Sequence, residues 1–388
     1  MIHEYPKLET IDHDVLAMIR EQRQKLRHQV SQNPIRWNGF LRKNTFARAL
    51  QGSNSIEGIN ANLAEAVAII DNERPETLEE ETLVALQGYR TAMTYIISIH
   101  EDTHTEVNAQ FIRSLHFMML NYDMTKLPGQ WRNGSVFVVH ESTNDTVYEG
   151  PHEDEVPGLM AELVTQINSS DQYDSSTVLG AMVHLNLAMI HPFKDGNGRM
   201  ARALQTLVIS QNGITSPVFC SIEEWLGRNT EAYYAILKDV GQGSWHPRNS
   251  ALPWVRFCLR AHYQQAVTLM KRNTQIGKVW EQMTKIAQAH SLPSRVEVPL
   301  MDAAFGYKVR NQSYREESEI SDVVASRDLK KLCDFGYLKP VGEKRGRYYE
   351  AADSLKKILA ASIVKSKVDD PYEMLVKAGA GQQLSLQV

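Results

Sequence analysis

The sequence predicts a mainly helical protein with one short β-ribbon near its middle and a helix-and-ribbon module towards its end. Three observations carry that expectation. Helical periodicity dominates the first three quarters of the chain, with few β-branched alternations to compete. Ser135 to His140, SVFVVH, breaks that texture with a short Val- and Phe-rich run. Between Pro293 and Glu350 an amphipathic helix precedes Gly336-Tyr337-Leu338, a basic turn holding Lys344, Arg345 and Arg347, and then Tyr348-Tyr349. That order resembles a winged helix-turn-helix.

Taken in chain order, Asp12 to His28 reads as an amphipathic surface helix, as does Thr77 to His100. Between them, TFARALQG and NLAEAVAII predict two further helices flanking SNSIEGIN. The segment TEVNAQFIRSLHFMML ends before Leu127-Pro128-Gly129, a stop signal. Ser135 to His140 and Thr146 to Tyr148 then form the two arms of a hairpin about a polar turn, Glu141 to Asp145. A lone ribbon leaves unpaired backbone edges, to which another chain can add as a strand. Helices are expected near Asp154 to Ile167 and over Ser175 to Ile190, the second running into HPFKDGNGRMAR, residues 191 to 202. A helix leaves that motif over MARALQTLVIS, Trp254 to His290 reads as long helix pairs, and Ala378 to Val388 reads as frayed chain.

Bulk properties narrow the class. A chain of 388 residues is too long for one ordinary core, so two or three domains are expected. Cys220, Cys258 and Cys333 lie far apart without paired or metal-finger spacing, which argues against a disulfide framework and for a reducing compartment. The formal net charge of -4 makes the whole molecule no magnet for nucleic acid or anionic lipid. No run of eighteen apolar residues and no leader-like start are found, so a soluble cytoplasmic protein without membrane contact is expected.

The motif at 191 to 202 carries the chemistry. Pro192 ends one helix, and Gly196 and Gly198 relax the backbone before the next. Consecutive N–H groups around Gly196-Asn197-Gly198 at a helix N-terminus make a nest that prefers phosphate. Arg199 and Arg202, three residues apart, can neutralise one polyphosphate. Asp195 beside that nest calls for a cation, and Mg2+ suits one carboxylate plus phosphate oxygens. His191 can accept a proton from an incoming hydroxyl.

HPFKDGNGRMAR resembles in full the signature of the Fic family, and the order of elements from about Thr105 to Leu237 is similar to a Fic core. The resemblance implies an adenylyltransferase moving AMP from ATP to a Ser, Thr or Tyr hydroxyl of a target protein. It implies His191 as general base, Phe193 as loop anchor and Asp195 as the Mg2+ ligand. Lys194, Gly196, Asn197, Gly198, Arg199 and Arg202 are implied on the phosphate side, with Arg202 at the γ-phosphate. The arm Val136, Phe137, Val138 and Val139 is implied as a flap that aligns the target by strand addition. Trp225, Asn229 and Tyr233, in a stretch resembling the region after the Fic loop, are candidates for the adenine side.

Residues 53 to 58, SNSIEG, raise a second expectation. Ser53 suits a helix cap and Gly58 a left-handed terminator, but Glu57 at a helix C-terminus opposes the macrodipole and needs a cation. The stretch matches the family's inhibitory pattern, which implies Ser53, Glu57 and Gly58 in a segment where Glu57 occupies Arg202. The implied organisation is an N-terminal helical region over 1–104, a catalytic core over 105–240, a helical linker over 241–290, a winged-helix-like domain over 291–365 and a tail over 366–388. Competing readings are a Fic-type transferase with another donor, removal of AMP, and a DNA-binding regulator with a Fic sensor core. Near-balanced charge across 295–350 favours protein docking or homodimer contact over DNA for the last module. His140 and His152 match no common metal-ligand spacing.

Overall fold

Helix-forming periodicity persists in the computed structural model, which describes residues 1–102, 106–139, 146–169, 175–211, 216–343, 346–364 and 367–385. The hairpin turn, His140, Thr105, Lys344 and Arg345 lie outside the described residues. The described residues are 69% helical. The first helices are α1 (Thr10–Gln32), α2 (Ile35–Ser55), α3 (Leu63–Ile70), α4 (Glu80–Ile99) and α5 (Ala109–Leu120). The ribbon β1 (Phe137–Val139) and β2 (Thr146–Glu149) follows, then α6 (Val156–Asn168), α7 (Ser176–Ile190) and α8 (Asn197–Gln211). Short α9 (Pro217–Cys220) and α10 (Glu223–Arg228) lead to α11 (Thr230–Gly241) and the long α12 (Leu252–Ala289).

The α7–α8 hairpin is the centre of the fold. α7 is apolar on every side, from Val178 and Leu179 to Met189 and Ile190, so it can be stable only where neighbours surround it. α6, α8 and α12 supply those neighbours. α1 lies along α12, and α2 crosses α10 where Gly52 meets Gly227 backbone to backbone. A Cβ at Gly52 would come within 2.5 Å of the Glu223 carbonyl oxygen, so only glycine allows this approach.

Three expectations change. Trp254 to His290 is one helix rather than a pair, because no proline interrupts it and Gly277 is the spot where the Trp37 ring lies against its backbone. The helix read from TFARALQG extends through Ser55, so Ser53 lies in the last turn of α2 instead of capping a separate helix. Gly58, at φ 74°, reverses the chain beyond it. At the far end α17 (Pro371–Ser385) replaces expected frayed chain over most of 378–388; its Tyr372 hydroxyl donates to Asp12 on α1.

The C-terminal segment orders α13 (Glu297–Ala304), α14 (Asn311–Ser318) and α15 (Asp322–Asp334), then antiparallel β3 (Leu338–Val341) and β4 (Tyr348–Ala351), then α16 (Asp353–Ser362). Its core is continuous with the one beneath α2. Phe40 packs edge-on to Phe305 at 4.9 Å, the Asn44 amide meets the Tyr307 hydroxyl, and Lys43 lies 3.3 Å from Asp302. The helix carrying Glu57 just past its end is therefore gripped at its start by this segment.

Candidate active site

The motif folds as a helix end, a tight turn and a helix start. His191 is the C-cap of α7 in the left-handed region, φ 52° and ψ 57°, a conformation that costs a non-glycine residue about 1–2 kcal/mol. Such strain persists only where surroundings hold it. Here the loop below is stapled. Asn197 accepts from the Phe193 N–H at 2.9 Å and donates to the Phe193 carbonyl at 2.9 Å. Phe193 is fully buried and stacks on His116, ring centroids 3.7 Å apart and planes within 6°. His116 in turn accepts from the Gly129 N–H and meets the Asp195 carbonyl at 2.9 Å.

His191 Nδ1 lies 3.2 Å from the Ala188 carbonyl oxygen, which can only accept, so Nδ1 carries the proton and Nε2 keeps its lone pair. Burial, the largest influence, holds the imidazole below its ordinary pKa despite the Ala188 bond and the Glu57 charge. The ring is therefore neutral near pH 7, with a basic nitrogen available.

α8 begins at Asn197, and the N–H groups of its first turn have no intrahelical acceptor. The Asn197 side chain is spent on the loop, so its backbone N–H is what remains for a ligand. The Gly196 N–H is turned onto the Asp195 carboxylate. Arg199 is 2% exposed, and its Nε and Nη1 have no hydrogen-bond partner among the described residues. Its nearest carboxylate is Asp195, 3.7 Å away. Arg202 is 1% exposed; Nε donates to the Ser53 hydroxyl at 2.8 Å, Nη2 to the Ser53 carbonyl at 2.9 Å and to Glu57 at 2.7 Å, while Nη1 has no hydrogen-bond partner among the described residues. Buried donors left unpaired are costly, roughly 1–3 kcal/mol each and more when charged. Two such guanidinium groups at a helix N-terminus describe a site built for an anion.

Asp195, partly exposed, has Lys126 2.9 Å away. Burial works to raise its carboxyl, but Lys126 and Arg199 outweigh that and keep it below the usual carboxylate range. Among the described residues no group of three or more His, Cys, Asp or Glu could hold a metal unaided. One ionised carboxylate beside a phosphate nest still fits Mg2+, which takes its other ligands from phosphate and water. Lys194 turns away, its Nζ 2.9 Å from the Thr125 carbonyl oxygen.

The three adenine-side candidates are placed differently from one another. Tyr233 is buried, its hydroxyl 3.0 Å from His184 and its ring among core aromatics. Trp225 is buried, with Nε1 donating to Gln264 and its ring against Phe257. Asn229 donates to the Trp225 carbonyl at the end of α10. All three side chains are engaged in packing or capping.

On the flap, Phe137 pairs with Glu149 and Val138 with Tyr148, and a bulge follows before Val139 meets Thr146. Phe137 is 51% exposed and Val136 is partly buried against Gly150. The far side of β2 is bridged at Glu149 by Ser244, so among the described residues the outer edge of β1 is the open one.

Several residues near the site carry no local sequence signal. His116 and Lys126 reach it from α5 and the loop after it, and Arg132 binds the His191 carbonyl at 2.9 Å. Glu223, 1% exposed, takes the Tyr89 hydroxyl and lies behind Ser53 and Arg202; burial, the dominant cause, raises its carboxyl.

The helical scaffold thus sets an imidazole at the end of α7 beside an anion nest at the start of α8. Residues 106–209 match the Fic/DOC family. It is 23% identical over 297 residues to the protein adenylyltransferase Fic of Nematostella vectensis, covering 74% of this chain and 62% of that one. It is also 23% identical over 247 residues to protein adenylyltransferase fic-1 of Caenorhabditis elegans, of which 45% is covered. The chain thus spans less than two thirds of these relatives. Among solved structures, a Fic family protein from Desulfovibrio desulfuricans superposes with a TM-score of 0.57 at 19% identity, over 90% of this chain and 99% of that chain. Fic-1 of C. elegans gives 0.55 at 21% identity, over 67% of this chain and 72% of that one. These likenesses show the shared fold.

Proposed function

We propose that this protein is a protein adenylyltransferase that transfers AMP from ATP to a Ser, Thr or Tyr hydroxyl of a target protein. The observation that carries the reading is the pair of buried guanidinium groups, Arg199 and Arg202, with unpartnered N–H groups at the start of α8, joined by the short turn 192–196 to a neutral His191. The relatives' names support the same reading.

In this reading the first-turn N–H groups of α8 and the Arg199 guanidinium hold the α- and β-phosphates, and Arg202 meets the γ-phosphate. Asp195 would hold Mg2+, whose charge, when bound, neutralises phosphate oxygens. The target segment adds to the open edge of β1 as an extended strand. His191 Nε2 takes the proton of the target hydroxyl as its oxygen bonds to the α-phosphorus. The bond from that phosphorus to the bridging oxygen breaks, and pyrophosphate leaves.

Glu57 makes the resting chain inhibited in this reading. Its carboxylate neutralises the guanidinium that the γ-phosphate needs, and Oε1 occupies the space a Cβ on Gly198 would take, so it stands directly over the nest. The same carboxylate could orient water for removing AMP. Among donors, a nucleoside triphosphate suits two guanidinium groups better than the diphosphate donor of phosphocholine does, and the base is what separates ATP from UTP. Exposed Arg327, Lys330 and Lys331 on α15 are offset by exposed Glu316, Glu319, Asp322 and Asp334 nearby, which supports protein docking or dimer contact for that segment over DNA. Among the described residues no helix is long and apolar enough to cross a membrane; a cytoplasmic setting is part of the proposal.

A panel of labelled nucleotides offered to the Glu57→Gly protein with Mg2+ tests the donor. Label entering protein from ATP alone is the expected result; entry from UTP or CDP-choline instead, or from none while ATP binds, would replace this reading.

A further inference from the structure

Arg132 lies on the segment before β1 and is 6% exposed. Its backbone N–H donates to the Pro192 carbonyl at 2.9 Å. Its guanidinium spreads over three more carbonyls: Nε to His191 at 2.9 Å, Nη1 to Gly134 at 2.7 Å and Nη2 to Pro151 at 2.6 Å. Gly134 precedes β1 and Pro151 follows β2, so one side chain joins both roots of the ribbon to the residue that carries the base. No carboxylate among the described residues lies within ion-pair distance of it. A buried cation without a paired counter-ion is expensive, and its compensation here is three backbone acceptors, one of them the His191 carbonyl at the negative end of α7, with the Glu153 charge acting from farther off. Tyr148 fastens β2 to the same helix end through its hydroxyl and the Met189 carbonyl, 2.8 Å apart.

Fixed direction distinguishes this contact from simple neutralisation. A guanidinium is a planar fork whose N–H groups point at set angles, so three carbonyls bound to one fork keep fixed separations. The His191 carbonyl is one of them, and His191 is held in a left-handed conformation that needs support. A lysine could satisfy one acceptor at a time.

We propose that Arg132 is a positioning residue for adenylyl transfer: it sets the docking edge of the ribbon at the distance from His191 Nε2 that brings a bound hydroxyl to the base. This rests on the reading of the ribbon and His191 given above. Arg132 touches neither nucleotide nor hydroxyl, so its loss acts on geometry rather than on ATP affinity.

The test compares Arg132→Met and Arg132→Lys with their Glu57→Gly parent as full chains. Three quantities are measured: incorporation of labelled AMP into protein, ATP affinity by calorimetry, and amide hydrogen exchange. Misplacement by about 1 Å costs roughly a hundredfold in rate, so incorporation is expected to fall by about that factor in both variants. ATP affinity stays at the parent's value. Exchange accelerates over 134–139 and 146–151 and is unchanged over α8. Methylguanidinium added to Arg132→Met restores part of the incorporation. Incorporation equal to the parent's, ATP affinity falling in step with it, or unchanged ribbon exchange would each overturn the proposal. A parent that incorporates nothing would instead count against adenylyl transfer, and ribbon exchange would still decide whether Arg132 ties the ribbon to the helix end. Should Arg132→Met fail to fold, Arg132→Lys, which keeps the charge, carries the same comparison.

Discussion

Glu57 Oε1 lies 2.7 Å from Nη2 of Arg202, although 145 residues separate them, and the two meet over the first turn of α8. Arg202 is buried and Glu57 partly exposed, so the removable partner is the carboxylate. A coupling of about 1–3 kcal/mol suppresses activity roughly 5- to 150-fold. Glu57→Gly is expected to raise labelled AMP incorporation within that range. Unchanged or lower incorporation with intact ATP binding would remove the inhibitory role.

The close seating of α2 on α10 offers a way to loosen the same contact without touching Glu57. A Cβ at Gly52 meets the Glu223 carbonyl carbon and oxygen and the Glu224 Cα, all backbone atoms that cannot swing aside. Overpacking of this kind costs about 1–3 kcal/mol. Gly52→Ala should therefore lower the melting temperature and raise incorporation above wild type. A destabilised variant that stays as inactive as wild type would show that inhibition does not depend on how α2 is seated.

His191→Ala should abolish incorporation while ATP affinity and melting temperature remain close to wild type. The imidazole makes one backbone hydrogen bond, to Ala188, so little of the fold depends on it. Because burial keeps His191 below its ordinary pKa, incorporation should be level between pH 7 and 8 and fall once the ring protonates at lower pH. A rate that rises steadily through pH 8 would point to another base.

Stability should also depend on pH through His116. Burial lowers its pKa to about 4, and its Nδ1 must stay unprotonated to accept from Gly129. Below about 6.5 the unfolded chain binds a proton that the folded chain refuses until about pH 4, so stability falls as pH drops through that window. The loss at pH 5 is about 2 kcal/mol for such a residue. Urea midpoints at pH 7 and 5 read it directly. His116→Gln should lessen the pH dependence, with His3, His184, His191 and His262, which burial also holds below their ordinary pKa, contributing to the remainder. An unaltered pH dependence in that variant would contradict the tautomer assigned to His116.

What could be read in the chain beforehand depended on how local the signal was. The loop from His191 to Arg202 was legible because its chemistry is contiguous: a proline stop, two glycines and two arginines each say something about their own position. Glu57 was legible because a carboxylate at a helix end asks for a cation. Arg132, His116 and Glu223 were not, because each acts through groups 59, 79 and 134 residues away and sits in an unremarkable local pattern. Trp225 and Tyr233 show the opposite difficulty, since aromatic residues at helical spacing look alike whether they face a ligand or, as here, the core. That Trp254 to His290 is one helix and not a pair depends on distant packing too, since the Trp37 ring covers the backbone at Gly277.

The most direct test supplies the Glu57→Gly protein, with Mg2+, either ATP labelled at the α-phosphate or ATP labelled at the γ-phosphate, and follows radioactivity in protein. Retention of the α-label with loss of the γ-label is the expected result, since the hydroxyl attacks the inner phosphorus and pyrophosphate departs. Retention of the γ-label, or of neither while ATP binds at the turn, would contradict it.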